Sequence, residues 1–138
     1  FLKSILKLAA ERDELRIVDD QRGAPTSARF IADATVALLW RAAAVPELSA
    51  RLAAGEILNV CCSGATTWFG FARHALANAS LARTPTLVPI PASAYATKAK
   101  RPGNSVLSLQ RLRGVWGIEA PSWQSAADLV LRELAPAP

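Results

Sequence analysis

The chain has 138 residues, a length that suits one small domain, and 51% of these are apolar, which is enough to form a core. This composition excludes global disorder, and no apolar run approaches the ~20 residues that a membrane-spanning helix needs. One histidine and two cysteines cannot supply the spaced ligands of a zinc site. Because Cys61 and Cys62 are adjacent, we expect two buried, reduced thiols of a cytoplasmic protein rather than a disulfide.

The net charge of +5 is unevenly distributed along the chain. Residues 1–56 carry eight basic and eight acidic side chains, whereas residues 57–113 carry seven basic side chains and no acidic one. Such a stretch predicts an anionic partner. A small phosphate-bearing ligand fits better than nucleic acid, because no nucleic-acid-binding motif is present. An ordinary solvated basic face is the alternative. The seven basic residues are Arg73, Arg83, Lys98, Lys100, Arg101, Arg111 and Arg113.

Apolar residues recur with a helical period over the first thirteen residues, which predicts an amphipathic helix with no capping residue before it. A chain that begins inside a helix, without methionine, is expected to be part of a longer protein. A short strand is predicted over 15–18, and the loop DDQRGAPT follows it over 19–26. Thr26 or Ser27 is then expected to cap a second helix over about 28–44.

The middle of the chain is predicted to contain another strand and another long helix. Pro46 ends the preceding helix, and a short helical turn leads to the apolar segment EILNVCC, which predicts a buried strand over 56–62. Thr66 is the expected cap of the next helix, whose apolar stripe begins at Trp68, and His74 is expected on the surface of that helix. This order, in which a small polar loop joins a strand to the start of a helix, binds anions in α/β proteins. It is also an ordinary way to connect a strand to a helix.

The remainder of the chain predicts one further strand and two helices. LVPI predicts a strand over 87–90, and a proline-rich, extended segment follows it. A short helix is predicted over 108–114, and Pro121 is expected to open the last helix. This order of elements indicates a mixed α/β fold with more helix than strand.

No catalytic set is recognisable in the sequence. Neither standard glycine-rich phosphate loop is present, and there is no GxSxG motif. Tyr95 and Lys98 are three residues apart in a segment of turn-forming residues, whereas an acid–base Tyr/Lys pair needs a spacing of four on a helix. We therefore interpret Tyr95 as a packing or ligand-contact residue.

Two polar turns instead predict a binding surface. In RPGNS, Arg101 offers a planar fork for phosphate oxygens, and the Pro-Gly pair after it forces a turn that can expose the guanidinium. Asn104 adds groups suited to hydrogen bonds with hydroxyls, and Gln21 and Thr26 add the same from the first loop. An ordinary turn is the alternative for each residue.

The succession DDQRGAPTSARFIAD, SGATTWFGFA and PIPASAYATKAKRPGNSVLSLQRL resembles the C-terminal half of the dTDP-4-dehydrorhamnose reductase family, of the extended short-chain dehydrogenase class. The resemblance covers residues 1–138 as one substrate-binding domain, the C-terminal portion of a Rossmann-type α/β fold, helix-rich with a few short strands. The family's N-terminal half, with its NADPH-binding glycine loop and Tyr-x-x-x-Lys pair, would be absent from the chain. Segment 56–62 would then be an edge strand without its neighbour.

This resemblance implies the substrate-binding portion of an NADPH-dependent oxidoreductase that converts dTDP-4-dehydro-L-rhamnose to dTDP-L-rhamnose in the cytoplasm. The product would serve lipopolysaccharide or other cell-surface polysaccharide synthesis. Arg101 would contact the phosphates of the dTDP-sugar and Asn104 would lie near the ribose, while Gln21 and Thr26 would border the sugar. A non-catalytic relative, such as the regulatory subunit of methionine adenosyltransferase, is the alternative.

The resemblance also bears on a metal site and on the oligomeric state. Some family members bind Mg²⁺ at a dimer interface through glutamates, and the corresponding positions here are Glu133 and Arg29. Because a guanidinium repels a cation, we expect no Mg²⁺-dependent dimer. A homo-oligomer is expected through apolar surface exposed on helix 1–13 and strand 56–62. Neither nucleic acid nor a membrane is an expected partner.

Overall fold

In the computed structural model, which describes residues 1–95, 99 and 101–135, helices surround two small sheets. This is the helix-rich α/β fold with few short strands that the sequence predicts. The strands are β1 (Glu14–Val18), β2 (Arg22–Gly23), β3 (Thr66–Thr67) and β4 (Thr86–Ile90). The α-helices are α1 (Leu2–Glu11), α2 (Ala28–Ala44), α3 (Pro46–Ala53), α4 (Trp68–Asn78), α5 (Gln110–Gly114) and α6 (Trp123–Leu134), and Ala92–Ala94 form one turn of 3₁₀ helix.

Strands β1 and β4 are parallel, and their register runs from Glu14 opposite Thr86 to Val18 opposite Ile90. A parallel pair requires a long crossover connection, and helices α2, α3 and α4 supply it here. Because the strands are parallel, the segments that leave them emerge at the same end of the pair. This topology brings the loop after β1 to the same edge as the chain that follows β4.

Three clusters of buried side chains form the core. The first packs α1 and α4 against β1, and the second packs α2 against α5 and the segment after α5. The third packs α4 against α6 beneath the loop that contains Cys62. The buried members are, in turn, Ile5, Ala9, Leu15, Ile17, Ala72 and Leu76; Leu38, Ala42, Leu112, Trp116 and Ile118; and Cys62, Phe71, Trp123, Ala126 and Ala127.

The predicted strand over 56–62 is wrong, since the structure assigns no strand to these described residues. A strand exists only where a neighbour pairs with its backbone, and here side chains hold much of the segment instead. Asn59 Nδ2 donates to the Ser108 carbonyl at 3.1 Å, and Arg111 Nη1 donates to the Ile57 carbonyl at 2.8 Å. The next residue, Ser63, makes an isolated bridge with Ser122.

Several helix starts also differ from the prediction. Thr66 lies in β3, and Thr67 caps α4 by accepting a hydrogen bond from Gly70 N at 2.9 Å. Pro46 begins α3 rather than only ending α2, because the first helical position needs no N–H donor. The last helix is capped by Ser122 and begins at Trp123, two residues beyond Pro121.

His74 is half-buried, whereas the sequence predicts a surface residue. Its Nε2 lies 2.6 Å from Asp128 Oδ1, and its ring packs edge-on against Trp123 with a centroid distance of 5.0 Å. The side chain therefore joins α4 to α6.

In the part of the chain that the structure describes, no helix is long and apolar enough to cross a membrane.

Candidate functional site

A cleft of about 760 Å³ opens where the loop after β1 meets the RPGNS turn. We call residues 19–27 the first loop and residues 101–105 the arginine turn. Helices α4 and α6 and the start of the chain form the rest of the wall. The cleft lining includes polar and charged residues and a group of aromatic residues: Gln21, Arg22, Thr26, Arg29, Thr66, Thr67, Arg101, Pro102, Ser105 and Glu133, together with Phe1, Trp68, Phe71 and Trp123.

Backbone hydrogen bonds join the arginine turn to the first loop. Arg22 N donates to the Gly103 carbonyl at 2.8 Å, and Ser105 N donates to the Arg22 carbonyl at 2.9 Å. The Ser105 hydroxyl donates to the same carbonyl at 2.9 Å. Although about 80 residues apart in the chain, the two turns that the sequence singles out therefore form one structural unit beside the cleft.

Two aspartates at the start of the first loop hold it in place. Asp19 Oδ1 accepts a hydrogen bond from Thr67 Oγ1 at 2.5 Å, and both Asp20 oxygens accept from Ala92 N, at 2.9 and 3.0 Å. The carboxylates thus connect the loop to β3 and to the segment after β4. Their role in this structure is to position the loop, and neither Asp lines the cleft.

Strand β3 lies close against the first loop and against α4. Arg22 pairs with Thr67 and Gly23 with Thr66 in the antiparallel β2–β3 ladder. Gly70, in the first turn of α4, lies so close to Thr66 Oγ1 that a Cβ at this position could not be accommodated without movement. The glycine therefore permits the close approach of helix and strand that closes this side of the cleft.

Arg101 lines the cleft. Its side chain is exposed, and none of the ion pairs among the described residues includes it. Pro102, the next residue, also lines the cleft, and Gln21 lies half-buried on the first loop. An exposed guanidinium on a turn anchored by backbone hydrogen bonds is suited to bind the oxygens of a phosphate.

Thr26 also lines the cleft, but its hydroxyl is occupied by protein partners. Thr26 Oγ1 donates to the Ala24 carbonyl at 2.9 Å and accepts from Cys62 N at 3.1 Å. The neighbouring Ser27, rather than Thr26, caps α2 by accepting from Phe30 N at 3.2 Å. Thr26 therefore connects the first loop to the buried segment that ends at Cys62.

Asn104 and Tyr95 do not line the cleft. Asn104 forms an isolated bridge with Arg22, and its Oδ1 accepts from Val106 N at 3.1 Å, so the side chain shapes the turn. Tyr95 follows the 3₁₀ turn and is 57% exposed. Lys98, its partner in the rejected acid–base pair, lies outside the described residues.

The two positions that the resemblance associates with a metal form an ion pair across the cleft wall. Arg29 Nη2 lies 2.6 Å from Glu133 Oε1, which connects the first turn of α2 to the end of α6. The carboxylate that would bind a cation is thus engaged by a guanidinium. The described residues contain no group of three acidic, histidine or cysteine side chains that could hold a metal. These residues do not fit a Mg²⁺ site.

Aromatic residues form the opposite wall of the cleft, which sequence reasoning did not identify. The Phe1 ring lies 4.8 Å from Trp68 and 5.5 Å from Phe71, and Phe71 meets Trp123 edge-on at 6.0 Å. We call these four residues the aromatic wall. The TTW segment, with Trp68 next to the Thr67 helix cap, is the sequence signal that points to this wall.

The two cysteines are buried and unpaired, as predicted. Burial raises the pKa of the Cys61 thiol, and the neighbouring Cys62 raises it further. A thiol with a raised pKa stays protonated and unreactive near neutral pH.

A family model and similar proteins of known name point to the same family. The family described as RmlD substrate binding domain matches residues 1–135. The chain is 43% identical over 140 residues to dTDP-4-dehydrorhamnose reductase of Burkholderia thailandensis and 34% identical over 138 residues to that of Escherichia coli K12. Both alignments cover 97% of the chain but only 46% and 44% of the relatives' own length.

Solved structures agree with these relatives. A dTDP-4-dehydrorhamnose reductase from Bacillus anthracis, in complex with NADP, aligns with a TM-score of 0.72 at 26% identity, over 96% of this chain and 43% of that one. The orthologue from Clostridium acetobutylicum has the same fold, with a TM-score of 0.82 at 24% identity over 97% and 43% of the two chains. The chain therefore spans a little under half the length of its relatives, and it belongs to the RmlD substrate binding domain family.

Proposed function

We propose that the chain is the substrate-binding portion of an NADPH-dependent dTDP-4-dehydrorhamnose reductase, which reduces dTDP-4-dehydro-L-rhamnose to dTDP-L-rhamnose. The main support for the proposal is that backbone hydrogen bonds join the first loop and the arginine turn beside one cleft. The family match supports the substrate class. A relative from Bacillus subtilis that is 29% identical over 133 residues is named as a spore coat polysaccharide biosynthesis protein, which supports a role in cell-surface polysaccharide synthesis.

In this proposal the first loop and the arginine turn bind the substrate. Arg101 contacts the diphosphate, where a charge-assisted, bidentate hydrogen bond fits the phosphate oxygens. Gln21 borders the sugar, while Thr26 positions the loop through its bonds to Ala24 and Cys62. Asn104 and Tyr95 act at the margin, Asn104 by shaping the turn near the ribose and Tyr95 as an outlying ligand contact.

The hydride donor is not assigned to this chain. The seven glycines have no dinucleotide-binding spacing, and the loop after β1 has a single glycine, Gly23. We therefore place NADPH on the part of the relatives that lies outside the matched region. The chain's own contribution is to hold the diphosphate and orient the sugar, which fixes the keto group relative to the donor. We assign the reaction to the cytoplasm, where the two cysteines stay reduced.

The proposal is tested by NADPH oxidation in two preparations. The complete protein that contains this chain is expected to oxidise NADPH only when dTDP-4-dehydro-L-rhamnose is present. The 138-residue chain alone is expected to give no oxidation, because it has neither a dinucleotide loop nor a proton donor in register with a lysine. Oxidation by the chain alone would contradict the proposal. A complete protein that binds dTDP-sugars without oxidising NADPH would instead support the regulatory alternative.

A further inference from the structure

A second arginine, Arg22, lines the cleft together with Arg101. It follows Gln21 in the first loop and, like Arg101, it is exposed. Arg22 N donates to the carbonyl of Gly103, two positions after Arg101, at 2.8 Å. Because two residues span at most about 7 Å, this hydrogen bond brings the backbones of the two arginines close together at the cleft.

The charged side chains that line the cleft leave an excess of positive charge. Among the described residues they are Arg22, Arg29, Arg101 and Glu133. Arg29 and Glu133 neutralise each other through their ion pair at 2.6 Å. Neither Arg22 nor Arg101 takes part in an ion pair with any other described residue. The two remaining guanidinium groups therefore present two positive charges to a ligand in the cleft.

The two acidic residues that precede Arg22 by two and three positions do not neutralise it. Asp19 accepts a hydrogen bond from the Thr67 hydroxyl, and Asp20 accepts from Ala92 N. Neither aspartate lines the cleft. The first loop therefore uses its acidic side chains to hold its own position and contributes only a basic side chain to the cleft. This arrangement favours an anionic ligand.

We propose that Arg22 is a second diphosphate-binding residue, which acts with Arg101 as a pair that matches the two negative charges of a nucleotide-sugar diphosphate. The inference rests on the proposed function, because it names a further residue by which the same cleft recognises its ligand. Each guanidinium offers a planar set of N–H donors that suits phosphate oxygens. The pair therefore selects ligands with two linked phosphates over ligands with one.

The test is calorimetric titration of the complete protein with dTDP-glucose, which contains the same diphosphate linkage as the proposed substrate. Arg22→Ala and Arg22→Gln are each expected to weaken binding about 10-fold, since both remove one charge-assisted contact. Arg22→Lys is expected to recover part of the affinity, because it keeps the charge without the bidentate geometry. The hydrogen bonds that join Arg22 to the arginine turn use only its backbone, so these substitutions leave them in place.

Two controls separate a direct contact from a general attraction of charge. Arg132→Ala removes an exposed arginine of α6 that forms no ion pair with the described residues and does not line the cleft, and it is expected to change affinity less than about twofold. dTMP has a single phosphate, so only one of Arg22→Ala and Arg101→Ala is expected to weaken its binding about 10-fold. If both substitutions weaken dTMP and dTDP-glucose binding equally, the arginines do not share the diphosphate and the inference is overturned.

Arg101→Ala, measured in the same series, separates a failure of this inference from a failure of the proposed function. If Arg101→Ala weakens dTDP-glucose binding and Arg22→Ala does not, the inference is overturned while the proposed function stands. The same holds if Arg22→Gln binds as tightly as the unmodified protein, since the charge of Arg22 then has no role. If neither arginine affects binding, or if the complete protein does not bind dTDP-glucose, the proposed function fails and the inference fails with it.

Discussion

The two sides of the cleft are built by different means. The arginine turn is exposed and the first loop is mostly half-buried, and hydrogen bonds between backbone groups and short side chains hold them together. The facing side, α4 and α6 with the aromatic wall, is held by buried aromatic and small apolar side chains. The proposed ligand contacts therefore lie on the side of the cleft that buries little apolar surface. We expect changes on the loop side to alter binding and changes on the helix side to alter stability.

The largest effect on stability is expected on the helix side, from Trp123→Ala. The Trp123 ring is buried and contacts both Phe71 and His74, so its removal leaves a cavity between α4 and α6. Large-to-alanine changes of buried aromatics lower the free energy of unfolding by about 3–5 kcal/mol. Urea denaturation followed by circular dichroism measures the loss.

Trp40→Ala is the matched control, because it removes the same side chain from an exposed position. It is expected to change the unfolding free energy by less than ~0.5 kcal/mol. Equal losses from the two variants would show that the α4–α6 packing does not determine stability.

A smaller loss is expected from Thr26→Val, at the point where the two sides meet. The substitution keeps the shape of the side chain but leaves Cys62 N without its acceptor. A buried donor without a partner costs about 1–3 kcal/mol. Thr26→Ser retains the hydroxyl and is expected to keep most of the stability, measured in the same denaturation experiment. If Val and Ser variants are equally stable, Thr26 does not anchor the loop.

The smallest effect is expected from the titration of Cys61. Its pKa is raised above the ordinary value of 9.0 in the folded chain, so the folded state retains the proton to higher pH than the unfolded state. The contribution to the unfolding free energy is complete below pH 9.0 and decreases as pH rises toward the folded-state pKa. Cys61→Ala is expected to reduce this alkaline slope. A slope unchanged by the substitution would show that other groups cause it.

Local patterns predicted the elements whose signal is contained in a few adjacent residues. The helical period of the first thirteen residues and the apolar LVPI segment found α1 and β4, and Pro and Gly marked the two loops of the site. The pairing of strands from distant parts of the chain was not predicted. Strands β2 and β3 have two residues each, and their ladder exists only because the first loop meets Thr66 and Thr67.

The same limitation explains the errors at the site. EILNVCC has the apolar character of a strand, but strand pairing depends on a neighbour that the segment itself does not encode. The role of Thr26 depends on Cys62, 36 residues away. The Arg29–Glu133 pair is formed by residues over 100 positions apart in sequence. The motifs thus indicated which loops matter, while the partner of each side chain required the fold.

The proposed function depends most on a contact between Arg101 and the diphosphate of a dTDP-sugar. Its most direct test is calorimetric titration of the complete protein with dTDP, comparing Arg101→Ala, Arg101→Lys and Arg83→Ala. A charge-assisted hydrogen bond is worth roughly 1.5–3 kcal/mol, so Arg101→Ala is expected to weaken binding ~10- to 100-fold. Arg101→Lys should recover only part, because an ammonium cannot make the bidentate contact.

Arg83 is the matched control, since its guanidinium is exposed and pairs with Asp13 at 2.7 Å, outside the cleft. Arg83→Ala is expected to leave dTDP affinity within about twofold of the unmodified protein, a change below ~0.5 kcal/mol. If both substitutions weaken binding equally, the basic residues of segment 57–113 act only through their summed positive charge. If Arg101→Ala leaves the affinity for dTDP unchanged, the arginine turn does not bind the diphosphate and the proposed contact is wrong.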